Sequence, residues 1–347
     1  MRTSQNRKTT IDEVARQAGV SKTTVSRYLN GKYDNLSQET RERIRGVIEA
    51  LDYRPNRMAQ GLKARNTRLI GCLISDVSSP FSAYILKGIN DVCEEAGYQV
   101  LFANSDDDPD RERSAIEGLL ESQVDGLIVN TTGENDDWLV SLHEGGMPMV
   151  LADRCLAEPG KLDTVTTDNY DSSYACVRFL KEAGYTQVAF FTQGNKRINP
   201  RVKRYQGYCD AMRDFYGRSG ADGLYQFSLE DPESCGKMIT AYRSRYPGER
   251  LAVLTVNGVT MLRLLHGIQD LGVTMGREFG VCGFDDWGWA SLIPPGITTI
   301  SQDSWLVGSE SAKIMLERIN GTAPEGVAYV EIPNRLDIRG SVVRDKG

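Results

Sequence analysis

Histidine is almost missing from this 347-residue chain, which has two, His143 and His266. Acid–base catalysis, activated nucleophiles and most zinc sites recruit imidazole, so catalytic and metal readings begin short of donors. Both histidines sit in helical runs among Leu and Gly, where a surface or boundary position is the plainer reading. The seven cysteines (Cys72, Cys93, Cys155, Cys176, Cys209, Cys235 and Cys282) are odd in number and scattered, with no Cys-x-x-Cys. That pattern speaks against a zinc cluster and for reduced thiols in a cytoplasmic protein. Long apolar runs are absent too: no stretch of about 18 residues is fit to span a bilayer. The polar opening, residues 1–8, has no apolar segment behind it, so neither a secretory leader nor a membrane partner is expected. No Gly-x-Gly-x-x-Gly follows the first strand candidate, and no Gly-x-x-x-x-Gly-Lys-Ser/Thr loop occurs anywhere. No dinucleotide or triphosphate site can be argued from such a chain. The expectation is a protein that is not an enzyme and carries no cofactor and no metal.

What is present is charge, unevenly placed. The total is −6, yet residues 1–65 hold 14 Lys and Arg against 7 Asp and Glu, while the rest hold 27 against 40. A head of +7 therefore precedes a body of −13. Such a split points to a head that meets an anionic polymer and a body with another task. The composition is otherwise that of a globular protein, and the length suggests about two or three domains.

In the head, Thr10-Ile11-Asp12-Glu13 has the form of a capping box, and Ile11, Val14, Ala15 and Ala18 mark one face of a short helix. Gly19 is a natural left-handed turn residue. Ser21 can cap a second helix over 22–29, with Val25 and Leu29 on one side and Lys22, Thr23, Ser26 and Arg27 on the other. A third helix follows Ser37, with Ile44, Val47, Ile48 and Leu51 at helical spacing. Two short helices joined by a glycine turn, with polar residues opening the second, are the layout of a DNA-binding helix-turn-helix. On spacing alone, a structural bundle with a basic surface has the same pattern.

The run from Thr10 to Gly31, together with Leu51-Asp52-Tyr53-Arg54-Pro55-Asn56 and Ala59-Gln60-Gly61-Leu62, resembles the head and hinge of the lactose-repressor/purine-repressor (LacI/GalR) family. The resemblance implies that Lys22, Thr23 and Arg27 read base edges in the major groove. It implies that Ser21, Thr24, Ser26, Asn30 and Tyr53 make phosphate or packing contacts, with Asn56 joining the DNA-contacting set. Leu62 matches the hinge leucine that wedges between base pairs from the minor groove and kinks the duplex. Gly61 departs from the family, which places a helix former there; Gly costs about 1 kcal/mol of helix stability against Ala.

From Leu69 onward, short apolar runs alternate with amphipathic stretches. Strands are predicted at 69–75, 99–104, 126–130, 149–152, 188–192, 251–256 and 279–283. Helices are predicted at 82–96, 111–123, 172–183, 201–215 and 259–271. Repeated β-α units imply parallel sheet covered on both faces. An echo, Glu-Glu-Ala-Gly-Tyr at 94–98 and Lys-Glu-Ala-Gly-Tyr at 181–185, favours two sheets over one. In open α/β sheets the crevice at the carboxyl ends of the strands takes the ligand. The polar residues expected there are Asp76, Asp153-Arg154, Asp168-Asn169, Arg201, Arg204, Asn257, Asp285-Asp286 and Gln302. Each has an alternative use, because Asp and Asn after a strand often cap the next helix.

The family resemblance extends over the body. It implies an α/β fold class: an all-α helix-turn-helix head and a two-lobed, periplasmic-binding-protein-like body of doubly wound parallel sheets. The implied division is a head at 8–56, a hinge at 57–66, one lobe at 67–166 plus 303–332, and a second at 167–302 plus 333–347. Arg204, in Arg-Tyr-Gln-Gly-Tyr, matches the family arginine that grips the effector. Asp285, in Gly-Phe-Asp-Asp, matches its acceptor carboxylate. Asn257 matches an Asn-Asp signature in which Gly258 here replaces the Asp. Gln302 matches a crossover residue that senses lobe closure. Phe227 falls where the family has an aromatic platform, with core packing an equal competitor, and Phe81 can wall the cleft. Arg154, Arg201 and Arg204, with Lys196 and Arg197 nearby, favour a carboxylated or phosphorylated ligand over a neutral sugar. Residues 104–109 and 200–208 resemble the branch answering to 2-keto-3-deoxygluconate. The implied partners are a pseudo-palindromic double-stranded DNA operator, a sugar or sugar-acid effector, and a second copy in a homodimer. That dimer would be joined through helix 82–96 and its apolar Tyr84, Ile85, Ile89 and Val92. The function expected is a repressor of carbohydrate catabolism genes; a corepressor-type regulator taking a nucleobase-like ligand, or a sugar-acid enzyme, stay open.

Overall fold

The computed structural model describes residues 9–29, 31–34, 36–53, 66–193, 198–277 and 279–344, in two compact units, residues 1–67 and 68–347. In the first unit, α1 (Ile11–Gln17), α2 (Lys22–Leu29) and α3 (Gln38–Ala50) enclose a small core of Val14, Ala15, Ala18, Val25, Ile44 and Tyr53. Thr10 Oγ1 caps α1 by accepting from Glu13 N at 3.3 Å, but only half of the box forms: the Glu13 carboxylate turns to Arg16 at 3.4 Å. Ser21 Oγ caps α2 through Thr24 N at 3.1 Å, and Ser37 Oγ caps α3 through Thr40 N at 3.2 Å. Gly19 takes the left-handed conformation (φ +64°) that sets the turn between α1 and α2.

The second unit is two six-stranded sheets of matching order. The first contains β1 (Leu69–Ile74), β2 (Gln99–Asn104), β3 (Gly126–Val129), β4 (Met149–Ala152), β5 (Asp163–Thr167) and β11 (Tyr329–Ile332), arranged β11-β5-β4-β3-β1-β2. The second contains β6 (Gln187–Gln193), β7 (Leu224–Phe227), β8 (Leu251–Thr255), β9 (Phe279–Phe284), β10 (Thr298–Ser301) and β12 (Arg335–Asp337), arranged β12-β10-β9-β8-β6-β7. All pairings are parallel except β10 with β12, an antiparallel edge. The helices are α4 (Pro80–Glu95), α5 (Pro109–Glu121), α6 (Asp136–Glu144), α7 (Asn169–Glu182), α8 (Asn199–Tyr216), α9 (Ser234–Arg245), α10 (Gly258–Asp270) and α11 (Ser304–Asn320). Each sheet carries an apolar cluster on both faces, which is why its strands read as continuous apolar runs.

The chain passes between sheets three times: after β5, after β10 and after β11. The second passage returns α11 to the first lobe, where it packs on α4 at reciprocal glycines. A Cβ at Gly88 would strike the Trp305 carbonyl, and one at Gly308 would strike the Ile85 carbonyl. The third passage is pinned by Asn334, whose N donates to Asp168 Oδ1 at 2.9 Å and whose Nδ2 donates to Ser172 Oγ at 3.1 Å. The loop from α11 into β11 is held by Arg318, which binds Asp163 through Nε at 2.6 Å and Nη2 at 2.8 Å and also meets the carbonyls of Pro324 and Gly326.

Two expectations need correcting. The two sheets are as expected, but the echo at 94–98 and 181–185 does not relate equivalent elements, because α4 follows the first strand of its lobe whereas α7 leads into the first strand of its own, β6. It is a shared way of ending a helix, with left-handed Gly97 and Gly184 followed by buried Tyr98 and Tyr185. In the proposed dimer helix, Ile85 and Ile89 are buried in the lobe's own core and Val92 packs against it, leaving Tyr84 exposed.

Candidate functional site

On α2, Val25 faces the core while Ser21, Lys22, Thr23 and Arg27 are exposed and Thr24 and Ser26 half-buried. Lys22 Nζ pairs with Asp12 at 2.9 Å on open surface, a contact that contributes little and is readily given up. Tyr53 takes the packing role: it is buried in the head's core. Asn30, Asn56 and Leu62, with Lys196 and Arg197, lie outside the described residues.

In the second unit a cleft of about 650 Å³ opens between the lobes at the carboxyl ends of both sheets, where an open α/β fold takes ligands. Ten of the thirteen residues expected there line it, namely Asp76, Phe81, Asp153, Arg154, Arg201, Arg204, Phe227, Asn257, Asp285 and Gln302, while Asp168, Asn169 and Asp286 do not. Several have structural duties as well. Asp76 Oδ1 accepts from Ser78 N at 2.9 Å and Ser78 Oγ at 2.6 Å. Asn257 Oδ1 caps α10 through Thr260 N at 2.9 Å. Phe227 is 3% exposed and belongs to the second lobe's core. Of the further candidates, Asp168 is bound to Ser172 Oγ at 2.7 Å and Asn334 N at 2.9 Å, and Asp286 to Thr299, Gly288 N and Arg339. Neither His143 nor His266 lines the cleft.

Arg204 organises the centre. It is 4% exposed and donates through Nε to Asn169 Oδ1 at 2.6 Å, Nη1 to the Val256 carbonyl at 2.8 Å, and Nη2 to Gln302 Oε1 at 2.7 Å. Its guanidinium lies 3.8 Å above the Phe284 ring. Burial lowers its pKa, opposed by Asp285 and Asp153. Gln302 also accepts from Thr167 Oγ1 at 2.9 Å and donates to Asp285 Oδ1 at 2.6 Å. Asp285 Oδ2 takes Gly258 N at 2.8 Å, so both of its oxygens already have protein donors.

Asp153 is the contrasting carboxylate. It follows β4 as Asp285 follows β9, the equivalent strand of the other lobe, and both stand at left-handed φ, +70° and +75°. Its Oδ2 accepts from Asn130 Nδ2 at 3.3 Å, while Oδ1 is buried without a partner among the described residues. Burial pushes its pKa up, against the pull of Arg154 and Arg204. Sequence reading named Asp153 after a strand but had no signal for its open oxygen.

The other two arginines differ in the same way. Arg154 Nη1 is tied to Asp107 at 2.7 Å and the Thr131 carbonyl at 3.0 Å. Arg201, half-buried, meets no hydrogen-bond acceptor among the described residues. Burial and the neighbouring Arg154 charge push its guanidinium down to about 10. Among the described residues the cleft thus offers a cation, Arg201, that meets no acceptor, and a buried carboxylate oxygen, Asp153 Oδ1, that meets no donor.

A basic helix-turn-helix head on a two-lobed ligand-binding body defines a ligand-responsive DNA-binding regulator. Residues 10–56 match the bacterial regulatory proteins of the lacI family, and residues 67–339 match the periplasmic binding proteins and sugar binding domain of the LacI family. The chain belongs to the LacI family and is a transcriptional regulator, not an enzyme. It is similar to the HTH-type transcriptional regulator KdgR of Bacillus subtilis (strain 168), 39% identical over 336 residues covering 96% of this chain and 98% of that protein. Among solved structures it is similar to the Lac repressor dimer bound to operator and the anti-inducer ONPF (TM-score 0.84, 24% identity, 96% and 99% of the two chains). It is also similar to the CelR–cellobiose complex (TM-score 0.70, 25% identity, 96% and 99%).

Proposed function

We propose that the chain is an operator-binding repressor of carbohydrate catabolism genes, released from DNA by a sugar acid of the 2-keto-3-deoxygluconate class bound in the cleft. The carrying observation is that, among the described residues, Arg201 is a cation in the cleft that meets no acceptor and Asp153, which also lines the cleft, has an unpaired Oδ1. A carboxylate answers the first, and a hydroxyl the second. Likeness to KdgR over nearly the whole of both chains and to cellobiose-bound CelR supports a carbohydrate-derived effector. The Arg204–Gln302–Asp285 chain of the second lobe reaches Thr167, the last residue of first-lobe strand β5, at the crossover, so a ligand that tightens it favours one lobe arrangement. It shifts operator affinity only as far as it prefers that arrangement.

In this reading Lys22, Thr23 and Arg27 read bases, Ser21, Thr24, Ser26, Asn30 and Asn56 position the head on phosphates, and Leu62 wedges the minor groove. The head spans 8–56 and the hinge 57–66; one lobe takes 67–166 and 303–332, the other 167–302 and 333–347. The protein works in the cytoplasm as a homodimer, with exposed Tyr84 on α4 and Phe102 on edge strand β2 at the contact. Two heads then meet the halves of a pseudo-palindrome. Among the described residues no helix is long and apolar enough to cross a membrane.

Calorimetric titration with 2-keto-3-deoxygluconate, gluconate and neutral sugars tests the effector, alongside selection of genomic fragments with and without each compound. Sugar-acid binding that releases selected fragments is expected. Binding of neutral sugars alone overturns the assignment.

A further inference from the structure

Gly258 opens α10 with a φ outside the left-handed region, so its backbone does not require glycine. Space does. A Cβ there would stand 2.6, 2.8 and 2.9 Å from Cη2, Cζ3 and Cζ2 of Trp287, closer than packed atoms approach. The six-membered ring of the indole rests directly on the Gly258 main chain. The N–H of the same residue donates to Asp285 Oδ2 at 2.8 Å, and Asp285 precedes Trp287 by two residues. A closed circuit results, in which the carboxylate holds the amide, the glycine carries the indole, and residues 285–287 return from indole to carboxylate.

The segment is held in this shape at a cost. Asp285 (φ +75°) and Trp287 (φ +49°) both adopt the left-handed conformation that L-residues disfavour. Trp287 Nε1 is buried without an acceptor among the described residues, so packing, not hydrogen bonding, keeps the indole in place. Trp289 packs edge-to-face against it at 6.4 Å. Asp286 braces the turn by taking Gly288 N at 3.0 Å and Thr299 Oγ1 at 3.1 Å, and by pairing with Arg339. Trp287 also lines a second cavity of about 240 Å³ with Phe81, Tyr84 and Ser304 of the opposite lobe.

We propose that Trp287 is a positioning residue for the effector site: resting on Gly258, it sets where the Asp285 carboxylate stands, and the missing side chain at 258 is the room it requires. The assignment rests on the cleft being the effector site. Through Gln302 the same placement reaches Arg204, so a shift at the indole is felt at the centre of the cleft.

Four full-length proteins test this: wild type, Gly258→Ala, Trp287→Ala and the double variant, each with its unfolding temperature recorded. In titrations with 2-keto-3-deoxygluconate, Gly258→Ala is expected to weaken binding about ten-fold, as overpacking at a tight contact does. In the Trp287→Ala background the same change is expected to cost little, so the two effects are not additive. Without effector, hydrogen exchange of the segment 256–262 is expected to quicken at the Gly258 amide in Trp287→Ala, toward the rate in an Asp285→Ala control. Additive penalties, unchanged protection of Gly258, or a lowered unfolding temperature with unaltered titration would each overturn the proposal. Where Trp287→Ala fails to fold, Trp287→Leu takes its place in every arm. A wild type that ignores the sugar acid removes that effector assignment, and the exchange arm then decides the positioning role by itself.

Discussion

Replacing Arg204 by Met keeps an unbranched apolar stem and removes the guanidinium with its hydrogen bonds. Three acceptors lose a donor: Asn169 Oδ1, the Val256 carbonyl and Gln302 Oε1. Gln302 keeps Thr167 Oγ1, so two buried acceptors are stranded, at about 1–3 kcal/mol each. Against that loss, a cation no longer has to be held 96% out of water with no carboxylate among its direct partners, which gives back part of a desolvation cost of several kcal/mol. The balance is a destabilisation of about 1–3 kcal/mol. At roughly 2–4 °C per kcal/mol for a domain of this size, that is a fall of about 2–12 °C in unfolding temperature. Binding suffers beyond stability, because Gln302 and Asp285 lose the anchor that orders them across the crossover. Differential scanning calorimetry with and without the sugar acid reads both effects: Arg204→Met should melt early and lose the ligand-induced rise. Arg204→Lys, which keeps the charge without the planar fork, should recover little of that rise. A Met variant with wild-type melting and a normal ligand shift would refute the reasoning.

Three further outcomes are expected. Asp153→Asn should raise the unfolding temperature of the free protein at neutral pH while weakening effector binding by about 1.5–3 kcal/mol. Because burial raises this carboxyl's pKa in the fold, ionisation costs stability above that raised value; the cost fades as pH falls and is gone below the unfolded 3.8, so the gain should vanish on acidification in melts taken across that range. Arg318→Ala should cost about 3–5 kcal/mol, since it strands the buried Asp163 carboxylate, and chemical denaturation measures it. Arg27→Ala should lower affinity for a selected operator by about 1–3 kcal/mol with the body's melting unchanged, read by fluorescence anisotropy at fixed salt.

How much of this was legible depended on how each element hides its polarity. The strands β1, β3, β4, β8 and β9 announce themselves as apolar runs. The strands β5 and β10, Asp-Thr-Val-Thr-Thr and Thr-Thr-Ile-Ser, do not, because their buried hydroxyls are paid for by neighbours: Thr166 Oγ1 donates to the Asp153 carbonyl at 2.6 Å and Thr298 Oγ1 to that of Arg339 at 3.1 Å. Hydropathy cannot see a satisfied threonine. The helix α11 escaped for a related reason, since Gly308, Ser309 and Ser311 form part of its buried face. In the cleft, strand-end position and the family resemblance together brought ten candidates into one place, but which of them keep an open hydrogen-bonding atom depends on partners far away in sequence. Asp285 is saturated by Gly258 and Gln302, whereas the near-equivalent Asp153 is not. Trp287 gave no sequence signal, because its partner is a glycine and the contact is one of space.

The crossing of α4 and α11 at Gly88 and Gly308 also sets an order of events during synthesis. The first lobe has five of its strands by Thr167, yet Val307, Ala312 and Met315, which complete its core, belong to a helix that begins at Ser304. Roughly 136 residues separate the two, about 7–27 s of translation. For that interval the face of β3, β4 and β5 that α11 covers stays open on the ribosome, and the second lobe, although its helices lie within the intervening stretch, still lacks edge strand β12 and buried Val342, which follow α11 in the chain.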